Sequence, residues 1–430
     1  MKRILLEDLK KWKNSPSRKP LIIRGARQVG KTWLMKEFAR TEYEDFIYVN
    51  FEFDEELKNL FLADLQPERI LFQLKTFTGI EAKPHKTLII FDEIQEAQRG
   101  LTSLKYFCEN APEYHIVSAG SLLGITLHQQ VSFPVGKVDF LDLHPLNFYE
   151  FLCAIGQERF VELLKTGDYQ SITAFKTKYT EWLRQYYFVG GMPAVVASFA
   201  EKKDFVEVRE IQKNILNSYE SDFSKHAPIE IVPRIRLVWN AVLPQLAKEN
   251  RKFIYAKIQQ GARAREFELA MARLLDCGLI KQVYRATKPD LPLKAYVDFS
   301  AFKLFMVDVG LMTAMAELDA KILLNGSAIF EEFKGALTEQ FVFQQIQQNK
   351  NLVIAYWTSE SSKAEIDFLV QFSTEIIPVE VKATENLQAK SLRVFCQKYQ
   401  PKTAIRTSLS DYKQESWLTN VPLYLIGNYF

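Results

Sequence analysis

The chain has few of the residues that would mark a metal-built or disulfide-built protein: four cysteines and five histidines in 430 residues. Cys108, Cys153, Cys277 and Cys396 stand far apart with no CxxC pair. That spacing excludes a zinc ribbon and a disulfide framework and leaves them as buried thiols of a reducing compartment. No apolar run approaches the roughly 18 residues of a membrane span. Charge interrupts the opening MKRILLEDLKKWKN too early for a signal peptide, so a cytoplasmic location with no membrane partner is expected. There is no internal repeat and no low-complexity tract, which excludes solenoids and propellers. The formal net charge of +3 is too small to announce a nucleic-acid partner.

What is present is an ordinary globular balance, 47% apolar and 25% charged, over a length that suits two to four domains of about 100–200 residues. Residues 1–145 alternate helical stretches with the short apolar runs PLIIRG, FIYVNFE, TLIIFDE and HIVSAGS, the pattern of buried parallel strands in an α/β nucleotide-binding domain. Leu5, Leu9 and Trp12 recur at helical spacing among lysines ahead of it, a pattern that suits a membrane surface but more often packs a helix onto its own domain. Residues 146–225 are largely helical and aromatic-rich, broken by Gly190, Gly191 and Pro193, and are expected to form a helical lid. Residues 226–295 give a helix, the basic RAREFELAMARLLDCG, a helix-stopping Gly278 and the strand-like LIKQVYRA, the order of a winged helix. Residues 296–430 return to mixed α/β, with a helix around EEFKGALTEQFVFQQIQ before the strands NLVIAYWT, EIDFLVQF and IIPVEVKA.

The chemistry is clearest at Gly25, Ala26, Arg27, Gln28, Val29, Gly30, Lys31 and Thr32, which satisfy GxxxxGK[ST]. The motif directly follows the strand LII and directly precedes a helix opened by Trp33, the context that a phosphate-binding loop needs. The glycines let successive N–H groups surround phosphates, with helix N-terminal potential added there. Lys31 supplies a cation for the β- and γ-phosphates of ATP, and the Thr32 hydroxyl a ligand for Mg²⁺. Some sixty residues on, LIIFDEIQ delivers Asp92 as a Mg²⁺-shell ligand and Glu93 as the base that orients water. Ser121, after the next apolar run, reads equally as a γ-phosphate sensor and as part of a plain Gly-Ser turn. Lys137 and Arg184 are the candidate cations for charge developing on the phosphate, from the same or a neighbouring subunit.

Taken in order, GARQVGKT, LIIFDEIQ, AGSLLG, PVGKVDFLDLHPLNFYEFL, YYFVGGMP and KLFMVDVGLM resemble a bacterial and archaeal family of AAA-like ATPases. In that family an N-terminal AAA-type domain is joined to a C-terminal region of unknown function, and the resemblance runs over nearly the whole chain. It implies ATP binding and hydrolysis, a winged-helix-like middle, and a C-terminal fold similar to restriction endonucleases. In that light Glu339, Asp367, Glu380 and Lys382 resemble the PD-(D/E)xK order. Glu380 and Lys382, two apart in a strand, share a face. Asp367 and Glu380 would hold Mg²⁺, Lys382 would orient or deprotonate the attacking water, and Glu339 would complete the metal shell. A salt-bridged sheet face with no chemistry explains the same four residues.

The helix 263–277 is expected to bury Phe267, Ala270, Leu274 and Leu275 and to present Arg263, Arg265 and Arg273, with Lys281 and Arg285 on the wing. Such a face fits a DNA groove or a protein partner. The expected fold class is therefore α/β: a P-loop domain with helical lid, a winged-helix-like domain and a restriction-endonuclease-like domain. Two functions follow from it. One is an ATPase controlling a nucleic-acid-directed nuclease-like tail; the other is a slow ATP-dependent switch that recruits a protein, with an idle tail. The expected partners are ATP with Mg²⁺, DNA, and a second copy or another protein.

Overall fold

The computed structural model describes residues 1–120, 134–246, 252–261, 263–325, 331–360, 364–385 and 388–430. These form two compact units, one of Lys2–His144 with Asp276–Leu279 and one of Pro145–Leu275 with Ile280–Phe430.

The first unit is built on five strands, β1 (Leu21–Arg24), β2 (Asp45–Asn50), β3 (Thr87–Asp92), β4 (His115–Ala119) and β5 (Asp139–Asp142), in the order β2-β3-β4-β1-β5. Every neighbouring pair is parallel. The apolar runs form strands because both faces of such a sheet are covered; all six residues of β3 and all five of β4 are buried. On one side Phe51, Phe61 and Phe91 pack ring to ring within a core that also holds Ile47, Ile89 and Leu104. The N-terminal helix Leu5–Lys13 buries Leu9 and Trp12, and the indole N–H of Trp12 donates to the Lys19 carbonyl at 2.8 Å. Because β1 and β3 both pair in parallel with β4 between them, all three strands point their C-terminal ends at one edge. That edge is where ligands of open α/β sheets collect.

The second unit holds an eight-stranded mixed sheet in the order β12-β13-β11-β10-β9-β8-β6-β7. Its strands are β6 (Ile280–Ala286), β7 (Val297–Met306), β8 (Val353–Thr358), β9 (Glu365–Phe372), β10 (Glu375–Val381), β11 (Ile405–Ser408), β12 (Lys413–Gln414) and β13 (Thr419–Pro422). The strand expected as a wing, β6, pairs antiparallel with β7 and meets β8 in parallel, so it sits in one sheet with the C-terminal strands.

The segment expected as a lid is helical, and it packs within this same unit. Asn147 and Glu150 form a reciprocal capping box that starts the helix Phe148–Ala154. Phe341 of the helix Glu331–Ile346 lies ring to ring against Phe148, Tyr186 and Tyr187. The motif glycines are placed by close approach. A Cβ on Gly190 would fall 2.1 Å from Asp308 Oδ1, one on Gly191 2.1 Å from the Leu146 carbonyl oxygen, and one on Gly310 2.4 Å from that of Val189. Asp308, fully buried, accepts from the Gly191 and Leu311 amides and from Gln344. GGMP and VDVG are thus two halves of one interlocked backbone joint.

Among the described residues no helix is long and apolar enough to cross a membrane. The four thiols are free and half-buried, short of the full burial expected of them.

Candidate functional site

β1 runs directly into the loop Gly25–Gly30, and the helix Lys31–Glu42 leaves it, with Gly30 at φ 94° where a side chain would strain the backbone. A Cβ on Gly25 would lie 2.3 Å from the Leu143 carbonyl oxygen, so the first motif glycine is required by the wall behind the loop. Arg3, 7% exposed, donates to the Val29 carbonyl at 3.2 Å and to that of His144, tying the outer limb of the loop down. The turn at Gly278, within the same unit, places its Cα so that a Cβ would meet the Ala26 amide nitrogen at 3.3 Å. Lys31 is buried with its ammonium donating to the carbonyls of Gly25 and Ala26, both at 2.9 Å. Burial pulls its pKa down to about 8, against the raising pull of Glu93 and Asp92.

Asp92 ends β3 at the same edge. The Thr32 hydroxyl donates to its Oδ2 at 2.6 Å, and the Tyr48 hydroxyl donates to the same oxygen at 3.0 Å. Its other oxygen, Oδ1, is buried and accepts no hydrogen bond. Burial raises the Asp92 pKa, opposed by the Thr32 hydrogen bond. A buried carboxylate oxygen without a donor, beside a threonine hydroxyl, is the donor set of a hard cation that takes few protein ligands and keeps the rest for phosphate and water. These residues fit Mg²⁺. Glu93 follows in left-handed conformation at φ 51°, turned out of the strand, and accepts from the Gln95 amide at 2.6 Å.

Arg27 lies 3.9 Å from Glu52, while Gln28 and Trp33 are exposed at the loop and the first turn of the helix. Ser121 lies outside the described residues. Lys137 precedes β5, and the pairing Leu21↔Asp139 puts it at the N-terminal edge of the sheet, away from the loop, where it pairs with Glu109 at 2.9 Å. Its own chain's phosphates are out of its reach. Arg184 donates to the Leu324 carbonyl inside the second unit. Sequence reasoning missed Tyr48 and Arg3. The strand alternation of FIYVN held the signal for Tyr48, since Asn50 pairs with Asp92 and Tyr48 shares its face.

In the C-terminal sheet the register Val379↔Phe368 brings the next pair, Glu380 and Asp367, opposite each other. Lys382 Nζ lies 2.7 Å from Glu380 Oε1. Burial raises the Glu380 pKa, Lys382 opposes the rise and Asp367 adds to it. Asp367 accepts from the Val381 amide at 2.7 Å, and Glu380 Oε2 from that of Leu392 at 3.3 Å. Asp367, Glu380 and Lys382 therefore meet. Glu339, 4% exposed, has Lys303 at 3.7 Å from its Oε2, an oxygen that accepts no hydrogen bond. Among the described residues no group of three or more His, Cys, Asp or Glu side chains is placed to hold a metal ion.

The helix Ala264–Asp276 buries Phe267, Ala270, Met271 and Leu274, with Leu275 only half-buried, and leaves Arg263 and Arg265 exposed. Arg285, expected on the wing surface, is paired with Asp298 at 2.6 Å.

Three family models match the chain: an AAA domain over residues 17–152, a domain of unknown function (DUF8612) over 180–322 and another (DUF4143) over 334–426. No curated protein matches it. Among solved structures, a Walker-type ATPase of Pyrococcus abyssi is 16% identical with a TM-score of 0.45, over 72% of this chain and 95% of that one. The ORC1 protein of Aeropyrum pernix, solved in complex with DNA, is 15% identical with a TM-score of 0.28, over 73% and 90%. Overlaps this loose leave the assignment to the loop, the acid and the family match. On those, the N-terminal unit is a P-loop domain of AAA type.

Proposed function

We propose that the chain is a Mg²⁺-dependent ATPase whose nucleotide state controls a nucleic-acid-directed, nuclease-like C-terminal region. The observation that carries this is the Asp92 carboxylate, buried with one oxygen held by Thr32 and Tyr48 and the other without a donor, with Glu93 next to it at the mouth of the loop. Lys31 and the loop amides bind and orient the phosphates, and Glu93 positions water in line and takes its proton. Mg²⁺, when bound, neutralises charge between the β- and γ-phosphates. Support for the nucleic-acid direction is the exposed pair Arg263 and Arg265 at the start of the helix Ala264–Asp276.

A second reading, a slow nucleotide switch that recruits a protein through an idle tail, is favoured by one observation: Glu339 and Glu380 of the tail already lie beside Lys303 and Lys382. Phosphate release measured with and without DNA separates the two. Turnover that DNA accelerates, with binding that weakens steeply as salt rises, supports the first. ATP retained with the same slow turnover whatever DNA is added overturns it in favour of the second.

A further inference from the structure

Lys303, in the buried and otherwise apolar half Ala301–Met306 of β7, is fully buried. Its ammonium pairs with Glu365 of β9, lies 3.7 Å from Glu339 Oε2 on the helix above, and sits 5.0 Å from the ring centre of Tyr356 on β8. Four elements thus converge on one positive charge. Glu365 is two residues from Asp367 on β9 and so shares its face, and Asp367 lies opposite Glu380. The lysine therefore stands between Glu339 and Glu365, on the strand face that also carries Asp367.

We infer that Lys303 is the resident cation at Glu339: its ammonium takes the place beside that carboxylate which a metal ligated by Glu339 would need, and the C-terminal sheet takes up no divalent cation through Glu339. An ammonium within 4 Å of Glu339 repels a second cation at the same carboxylate. Mg²⁺ demands a near-octahedral oxygen shell about 2.0–2.1 Å in radius, which leaves no room for a nitrogen among its carboxylates. An exposed lysine can swing aside for a metal; Lys303 has no solvent to swing into, and leaving its partners would bury an unpaired charge. Lys382 serves Glu380 in the same way, at 2.7 Å. The inference goes beyond the ATPase reading and does not depend on it.

The test is Mn²⁺ titration of the full chain without nucleotide, in an Asp92→Asn background that removes the N-terminal carboxylate. The parent is expected to show no saturable site up to about 1 mM, the weak end of protein divalent sites. Lys303→Ala is expected to gain one equivalent of Mn²⁺, and Lys303→Ala with Glu339→Gln to lose it again. A parent that binds one Mn²⁺ which Glu339→Gln removes overturns the inference, and so does a folded Lys303→Ala that gains none. If Lys303→Ala does not fold, thermal melting of Glu339→Gln decides. A melting temperature lowered by the substitution and moved by Mn²⁺ in neither protein supports the lysine. Mn²⁺ stabilisation of the parent that vanishes in Glu339→Gln overturns it.

Discussion

The nucleotide site and the C-terminal carboxylate face use the same residue types, lysine beside acid, and leave them in opposite electrostatic states. At the loop, Lys31 is buried against neutral carbonyls and Asp92 keeps a buried oxygen without a donor. Both groups are short of counter-charge, which is what a phosphate and a divalent cation bring. On the C-terminal sheet, Lys303 has Glu339 and Glu365, and Lys382 has Glu380. The C-terminal cluster carries its own counter-charge, although Lys303 Nζ and Glu339 Oε2 make no hydrogen bond. Residue identity alone does not separate a site that lacks counter-charge from one that supplies it, and the difference lies in which strand or loop brings each partner.

The sharpest way to break this comparison is at Glu93. Glu93→Gln is expected to lower ATP turnover by about 100- to 10,000-fold while ATP affinity is retained, as measured by phosphate release and nucleotide titration. Equal losses in both would remove Glu93 from water activation. Next, the same substitution should act with opposite sign in the two places. Lys303→Met strands the buried Glu339 and leaves the partly exposed Glu365 without its lysine, and is expected to destabilise by about 3–5 kcal/mol in urea unfolding. Lys31→Met removes a charge whose burial is a cost, so the melting temperature should hold or rise while ATP binding is lost.

The pH dependence sharpens the first half. Lys31 has its pKa depressed from 10.5 to about 8 in the folded chain. The folded state is therefore penalised below pH 8 and relieved as pH climbs toward 10.5. Phosphates favour the charged form, so ATP binding should take up a proton between those values, with affinity falling up to about tenfold per pH unit. Calorimetry in buffers of different ionisation heat measures that uptake; none at pH 9 would remove the assignment. Smallest is Tyr48→Phe, which deletes one donor to Asp92. Its cost is about 1 kcal/mol, read as a few-fold rise in the Mg²⁺ needed for half-maximal turnover.

How much of this was legible in the sequence depends on whether partners are local. Gly25–Thr32 could be read because loop, strand and helix are contiguous, and Asp92 with Glu93 because one apolar run ends on them. Arg3 could not, and Tyr48 only as far as strand alternation puts it on the face of Asn50, since their contacts to Val29 and Asp92 come from packing and sheet register. The wing-like strand 280–286 has the alternation of any half-buried strand, and nothing local says that its neighbour is β8. Glu339 was expected beside Asp367 because order along the chain was the only guide; Lys303, 3.7 Å from it, stood only within the family motif KLFMVDVGLM. A lone lysine inside AFKLFMV was the available signal.

The order of the first sheet also bears on how the protein is made. β1, which delivers the phosphate loop, pairs only with β4 and β5, through Leu21↔Val117 and Leu21↔Asp139. On the ribosome both edges of Leu21–Ile23 stay bare until those later strands emerge, and pairing over such separations is slow. The loop is synthesised before the strands that fix it, so capture of ATP by a nascent chain would report that β4 and β5 have emerged and paired with β1.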